Sequence, residues 1–378
     1  MGNSILDDLG RSYSQWKVND LSVRRFSADQ YVPIIGAHLP PGVRSEHVGS
    51  SFEGRPIRLI SVGSGPTSVL LWSQMHGDES TATMAIADIL NYFRLRPDEE
   101  SANTILSSLH LLFLPMLNPD GAARFQRRTA QGIDMNRDAL ALETPEARIL
   151  KNTQHEYKPA FGFNLHDQEL STVGTTQKIT ALSLLAPAFD DQKSDNDVRL
   201  RAKHVAALLA ESAQHLAPGC IARYDDTFEA RAFGDSMQRW GTSTVLIESG
   251  HIRDDAEKAS IRRINAVIIL ASLHAIATGD YANSNLAHYE SLPFNSDRAY
   301  DLIIRNIAVR HPGGSTTRAD LGISYQVDTH TEETPVLVDL GDLRTFACMR
   351  EIDGSGKIIP SDRLAIAKPF AWDEFFPG

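Results

Sequence analysis

Up to about residue 278, short apolar runs alternate with stretches of helical spacing, and this alternation limits the folds open to the chain. Val69-Leu70-Leu71-Trp72, the apolar run within Ser107 to Met116, Phe161 to Leu165, Ile179 to Leu185 and Thr242 to Ile247 read as strands. Pro56 to Val62 adds a strand with one polar face, and Cys220 to Tyr224 a short one. Between them, Ser80 to Ala87, Thr144 to Tyr157, Asp197 to His215 and Asp255 to Ile276 read as helices, with Thr144 as a cap and Pro145 in the first helical position. Strands that are apolar at nearly every position are buried on both faces. The pattern predicts an α/β fold: a mainly parallel or mixed sheet with helices on both faces. Residues 1 to 45 read as an irregular or helical lead-in, where Pro33, Pro40 and Pro41 argue against a long helix. Beyond Thr278-Gly279-Asp280 the texture changes to strands split by turns, at 300–309, 321–327, 335–340 and 357–359. Two units follow, residues 1–282 and a small β-rich unit at 283–378.

Three of the apolar strands run into residues that can bind a metal or move a proton: His76 with Glu79, then His166, then Glu248. The carboxyl ends of neighbouring strands in an α/β sheet lie side by side, where ligands gather. Two imidazoles and one carboxylate would form an open zinc site with room for water, and a spare carboxylate beside that water could act as general base. A single His-x-x-Glu is weak evidence, because 13 histidines and 48 acidic residues produce such pairs by chance. Two more occur, His166 to Glu169 and His330 to Glu333.

Other motifs stand between these strands. They are Glu53-Gly54-Arg55-Pro56 before a strand, Asn118-Pro119-Asp120-Gly121 (read as a turn), the arginines around Arg127, and Gly132-Ile133-Asp134-Met135-Asn136-Arg137. Together with His76-Gly77-Asp78-Glu79, Asn164-Leu165-His166 and Glu248 they follow one order over residues 45 to 275. In that order the chain resembles the zinc carboxypeptidases related to carboxypeptidase A, including bacterial and deacylase-like branches. The resemblance implies that His76, Glu79 and His166 ligate zinc, which leaves Glu169 as a loop residue and His330 and Glu333 outside the motif. It implies that Asp134 holds the first histidine from behind, that Asn136 and Arg137 grip a substrate carboxylate, that Arg127 stabilises an oxyanion, and that Glu248 is the general base.

The chain departs from the family where a mobile tyrosine is expected some twenty residues before the catalytic glutamate. Anchoring on Asp235 and Gly241 puts Thr227 or Phe228 there, and Tyr224 would need a shift of about three residues. That departure puts ordinary peptide specificity in doubt, and Arg231 in the same stretch raises the option of an acidic substrate group. The expected activity is hydrolysis of an amide bond next to a free carboxylate, in a small peptide. One alternative is an N-acyl amino acid amidohydrolase of the aspartoacylase or succinylglutamate desuccinylase type, and a more distant one is a non-catalytic carboxylate-binding protein. A net charge of −11 argues against a general nucleic-acid groove. Cys220 and Cys348 are far apart and form no CxxC. No uninterrupted apolar run approaches the ~18 residues of a membrane span. Met1 to Asp8 lacks a basic start and an apolar core, so no signal peptide is expected and the cytoplasm is the default.

Overall fold

A computed structural model describes residues 2–327, 333–371 and 375–376. The strands are β1 (Arg44–Ser50), β2 (Pro56–Val62), β3 (Thr67–Ser73), β4 (Leu109–Leu114), β5 (Phe161–Asp167), β6 (Thr172–Val173), β7 (Leu182–Leu185), β8 (Ile221–Arg223) and β9 (Ser243–Ser249). Except for β6 they form one sheet in the order β1-β2-β4-β3-β5-β9-β7-β8. Its centre, β4-β3-β5-β9, is parallel, while β1, β2 and the β7–β9 pairing are antiparallel. The sheet is therefore mixed, as the sequence pattern predicts.

The apolar runs are explained by two cores, one on each face. Along β3, Val69 and Leu71 pack into the larger core, while Leu70 and Trp72 pack into the smaller. Along β4, Leu111 and Phe113 face the first core and Leu112 and Leu114 the second. Successive side chains on a strand point to opposite faces, so double burial demands an apolar residue at every position. Helices 81–95 and 259–278 supply residues to the larger core, and helices 145–157 and 233–239 to the smaller. The Ala259–Thr278 helix has the length and apolarity of a membrane span, but 78% of that window is buried inside the protein.

Several boundaries differ from the sequence reading, each for a local reason. Asn118-Pro119-Asp120-Gly121 opens a short helix, Pro119–Arg124, instead of a free turn, because Asn118 Oδ1 accepts the Gly121 N–H at 2.9 Å as an N-cap. The long helix read from Asp255 begins instead at Ala259, since Lys258 takes a left-handed φ of 50°. Ala28–Ala37 is helical with Pro33 inside it. Leu182, not Ile179, begins β7; Ile179 makes only an isolated bridge to Thr172. The Glu100–Ser108 helix carries too few apolar residues to stand out in sequence.

After residue 290 the chain forms β10 (Asn295–Ser296), β11 (Ala299–Arg310), β12 (Thr316–Val327), β13 (Glu333–Gly341), β14 (Ala347–Asp353), β15 (Ile358–Pro360) and β16 (Lys368–Pro369). The second sheet runs β14-β11-β12-β13-β16, with β15 pairing β11. On β11 the inward residues are Leu302 and Ile304, then Ile307 and Val309. The change of parity is absorbed by a register shift between Ile304 and Ile307, where Asn306 has φ 60°. β6 and β10 pair across the two parts of the chain, and Arg253 Nε donates to the Cys348 carbonyl at 3.0 Å.

Candidate metal and active site

The site begins with a close approach of two motifs. After β3 the chain turns through Gln74, with φ 51°, to His76 and Gly77. A Cβ on Gly77 would lie 2.0 Å from the carbonyl carbon of Gly121, so only glycine lets the two backbones touch. Asn118 locks the contact: its backbone N–H donates to Gln74 O at 2.9 Å and its Nδ2 to Met75 O at 3.2 Å. The Glu53-Gly54-Arg55 turn braces the other side. Ser51 Oγ and Arg55 Nη1 donate to the buried Asp120 carboxylate at 2.7 and 2.6 Å. These motifs build the site's floor and carry no chemistry of their own.

His76, Glu79 and His166 converge on that floor. His76 Nδ1 lies 2.7 Å from Glu79 Oε1, His166 Nδ1 lies 2.7 Å from Glu79 Oε2, and the two Nδ1 atoms are 3.2 Å apart. All three residues are buried and offer their ligand atoms within 4.8 Å of one another. Asp134 Oδ1 sits 3.0 Å from the other ring nitrogen of His76. A carboxylate there fixes the tautomer that leaves Nδ1 its lone pair. The cluster fits a metal ion: two ring nitrogens and a carboxylate are turned toward one another in buried surroundings, a donor set that suits zinc. Burial opposes charge on His76, but Glu79 and Asp134 outweigh it and hold the ring up to about 9. Burial also opposes charge on Glu79, yet the two imidazoles keep its carboxyl below the usual range. His166 is pushed down by burial.

Glu248 stands directly across from His166 in the parallel β5–β9 register, so both side chains leave the same face at the strand ends. It is 8% exposed. Burial first, and then the nearby Glu79 carboxylate, push its carboxyl up to about 8. Of the three neighbouring arginines, Arg127 reaches the cluster. Its Nη1 lies 3.1 Å from both Glu79 Oε1 and His76 Nδ1, and its Nη2 pairs with Asp134 Oδ2 at 3.0 Å. Arg124 turns to Glu53, and Arg128 to the Gly132 carbonyl at 3.1 Å. Asn136 is held at the mouth by its Oδ1, which accepts the Phe233 N–H at 2.9 Å. Arg137 is more open, its side chain 43% exposed, with Glu229 3.8 Å from its Nε. Arg231 grips the same Glu229 through Nε at 2.9 Å and Nη2 at 2.5 Å, so it is already paired.

Tyr224 is the residue that sequence spacing left open. It follows β8, and its phenol is held above its ordinary range, foremost by the charge of Glu248 and then by burial. Thr227 instead bonds Asp225 at 3.0 Å, and the Phe228 ring lies 5.9 Å from the Arg239 guanidinium. The usable signal was the end of the short β8 strand beside β7, which counting from Asp235 ignores. Glu169 is exposed and outside the cluster. His330 lies outside the described residues.

Residues 30–178 match the family model for zinc carboxypeptidase. Carboxypeptidase 2 of Trichophyton rubrum is 28% identical over 127 residues, 31% of this chain and 23% of that protein. Human cytosolic carboxypeptidase-like protein 5 is 33% identical over 145 residues, 38% of this chain and 15% of that one. The matched region thus spans less than a quarter of either relative. The fold is similar to that of a metallo-carboxypeptidase from Burkholderia cenocepacia, with a TM-score of 0.54 and 17% identity over 68% of this chain and 70% of that one. Carboxypeptidase A of Helicoverpa armigera gives 0.53 and 15%, over 75% and 82%. The family match takes in His76, Glu79, Asp134 and His166 but stops before Glu248, which the fold alone brings alongside. Residues 30–178 are thus similar to the zinc carboxypeptidase family, and the chain shares the fold of solved carboxypeptidases.

Proposed function

We propose that the protein is a zinc-dependent hydrolase that cleaves an amide bond beside a free carboxylate, as a carboxypeptidase does. The observation that carries this reading is the convergence of His76, Glu79 and His166, with Glu248 on the next strand in line with His166. Those three residues would hold zinc, which when bound supplies a Lewis acid for the scissile carbonyl and lowers the pKa of water toward about 7. Glu248 takes a proton from the attacking water and delivers it to the leaving amine. Arg127, with Nη1 already beside Glu79, donates hydrogen bonds to the oxygen on which negative charge develops. Arg137 and Asn136 receive the substrate's carboxylate, where a planar guanidinium makes two parallel charge-assisted hydrogen bonds. Tyr224 adds a phenol to the same wall.

A substrate panel on zinc-loaded protein tests this. N-blocked dipeptides with a free terminal carboxylate are expected to be cleaved, and their C-terminally amidated forms left intact. Equal cleavage of the amidated forms would remove the carboxylate grip from the proposal. Cleavage confined to acetyl-aspartate or succinyl-glutamate would shift it to an amidohydrolase.

A further inference from the structure

Beneath the convergent cluster lies a second buried group, centred on the residue after His166. Asp167 Oδ2 accepts from Thr81 Oγ1 at 2.6 Å, Lys258 Nζ at 3.1 Å and Arg24 Nη2 at 3.3 Å. Lys258 Nζ also donates to the Ser249 carbonyl at 3.1 Å. The positions along the chain matter. Thr81 is two residues after Glu79, Asp167 is one after His166, and Ser249 is one after Glu248. One lysine and one aspartate thus join the three segments that present two of the ligand residues and the general base. The link to the cluster is direct as well, since the Asp167 backbone N–H donates to Glu79 Oε2 at 3.2 Å.

This arrangement is costly. Lys258 is 2% exposed, and burying an ammonium group costs several kcal/mol before any ion pair returns it. Lys258 also adopts φ 50°, a left-handed conformation that L side chains rarely take. Stability alone would be served as well by an apolar side chain of similar length. What the ion pair adds is a fixed distance between strand ends that no apolar contact specifies.

We propose that Lys258 and Asp167 are positioning residues that hold the ends of β5 and β9 and the start of the 81–95 helix in the register the metal cluster requires. The inference rests on the zinc-hydrolase reading above. Neither residue touches the reacting atoms. Both act through Glu79, His166 and Glu248.

The experiment measures zinc affinity by competition with a chromophoric chelator, alongside kcat, KM and stability. Lys258→Met is expected to weaken zinc binding about 10- to 100-fold, the range seen when partners of metal ligands are removed, and to lower kcat with KM nearly unchanged. Asp320→Asn is the control, because it weakens the ion pair to Arg305 within the second sheet, on strands that carry no part of this group. It should lower stability and leave zinc affinity unaltered. If Lys258→Met does not fold, Thr81→Val removes a single hydroxyl bond to Asp167 at constant shape, and is expected to weaken zinc binding severalfold. Zinc affinity and kcat within twofold of wild type in the folded variant, with stability lost as in the control, would overturn the inference. Wild-type protein that neither binds zinc nor hydrolyses any substrate would instead overturn the functional reading.

Discussion

Glu248→Gln separates what the fold needs from what the chemistry needs. The change keeps the size and shape of the side chain and removes its ability to ionise. In the metal-free protein the Glu248 carboxyl is held up to about 8, by burial and by Glu79, whereas an unfolded glutamate titrates near ~4.3. A carboxyl whose folded-state pKa is raised favours the folded protein at low pH, below the unfolded value. That relative advantage is lost progressively as pH rises toward 8. Each unit is worth about 1.4 kcal/mol, so near pH 7 ionisable Glu248 costs the metal-free fold roughly 2–4 kcal/mol. Glutamine carries no such cost. Denaturant unfolding of chelator-treated protein should therefore show the variant more stable by that amount at pH 7, with the gap closing by about pH 4. Turnover of the zinc-loaded variant should fall by about 10²- to 10⁴-fold, the usual worth of a positioned general base, with zinc still bound. A variant no more stable than wild type at pH 7 would refute the burial argument, and activity within tenfold of wild type would refute the catalytic role.

Three further outcomes follow from the same coordinates. His76→Ala should abolish zinc retention after dialysis, measured by metal analysis, and remove turnover with it. Gly77→Ala places a methyl group 2.0 Å from the Gly121 carbonyl carbon. It should force the two motifs apart, lowering both the unfolding midpoint and zinc affinity, while Gly36→Ala, in the 28–37 helix with open space around it, should leave zinc affinity unaltered. Asp88→Ala strips the partner from Arg262, which is 2% exposed and bonds both Asp88 oxygens at 2.6 and 2.7 Å. A loss of about 3–5 kcal/mol in denaturant unfolding is expected; a loss under about 1 kcal/mol would show that Arg262 finds water in its place.

The parts legible in the sequence are those governed by local rules. Thr144 and Pro145 begin a helix in the sequence and in the structure, since Thr144 Oγ1 accepts the Ala147 N–H at 3.1 Å. The central strands were legible because burial on both faces requires unbroken apolar runs. The Asn118 segment was misread because the residues that favour turns also cap helices, and only the contact with Gln74 and Gly77 decides between them. Tyr224 was obscured because counting along a loop says nothing of how that loop folds back on Glu248. Lys258 could not be found at all. Its sequence setting, Asp254-Asp255-Ala256-Glu257-Lys258, reads as a solvated charged stretch, and its charged partner Asp167 lies 91 residues away in the chain.

These two kinds of legibility map onto the two faces of the sheet. Toward the larger core, β5 presents Phe161, Phe163 and Leu165, and β9 presents Val245 and Ile247, with polar residues only at the strand ends, Asp167, Ser243 and Ser249. The opposite face of the same strands presents Asn164 and His166 on β5 and Thr244 and Glu248 on β9, with Ser183 of β7 opposite Glu248. Burying a polar side chain costs free energy unless it finds a partner, so the run of polar residues along the middle of this face is not what stability alone would select. The face that follows the folding rules carries the stability, and the face that breaks them is where His166 and Glu248 stand side by side, next to His76 and Glu79.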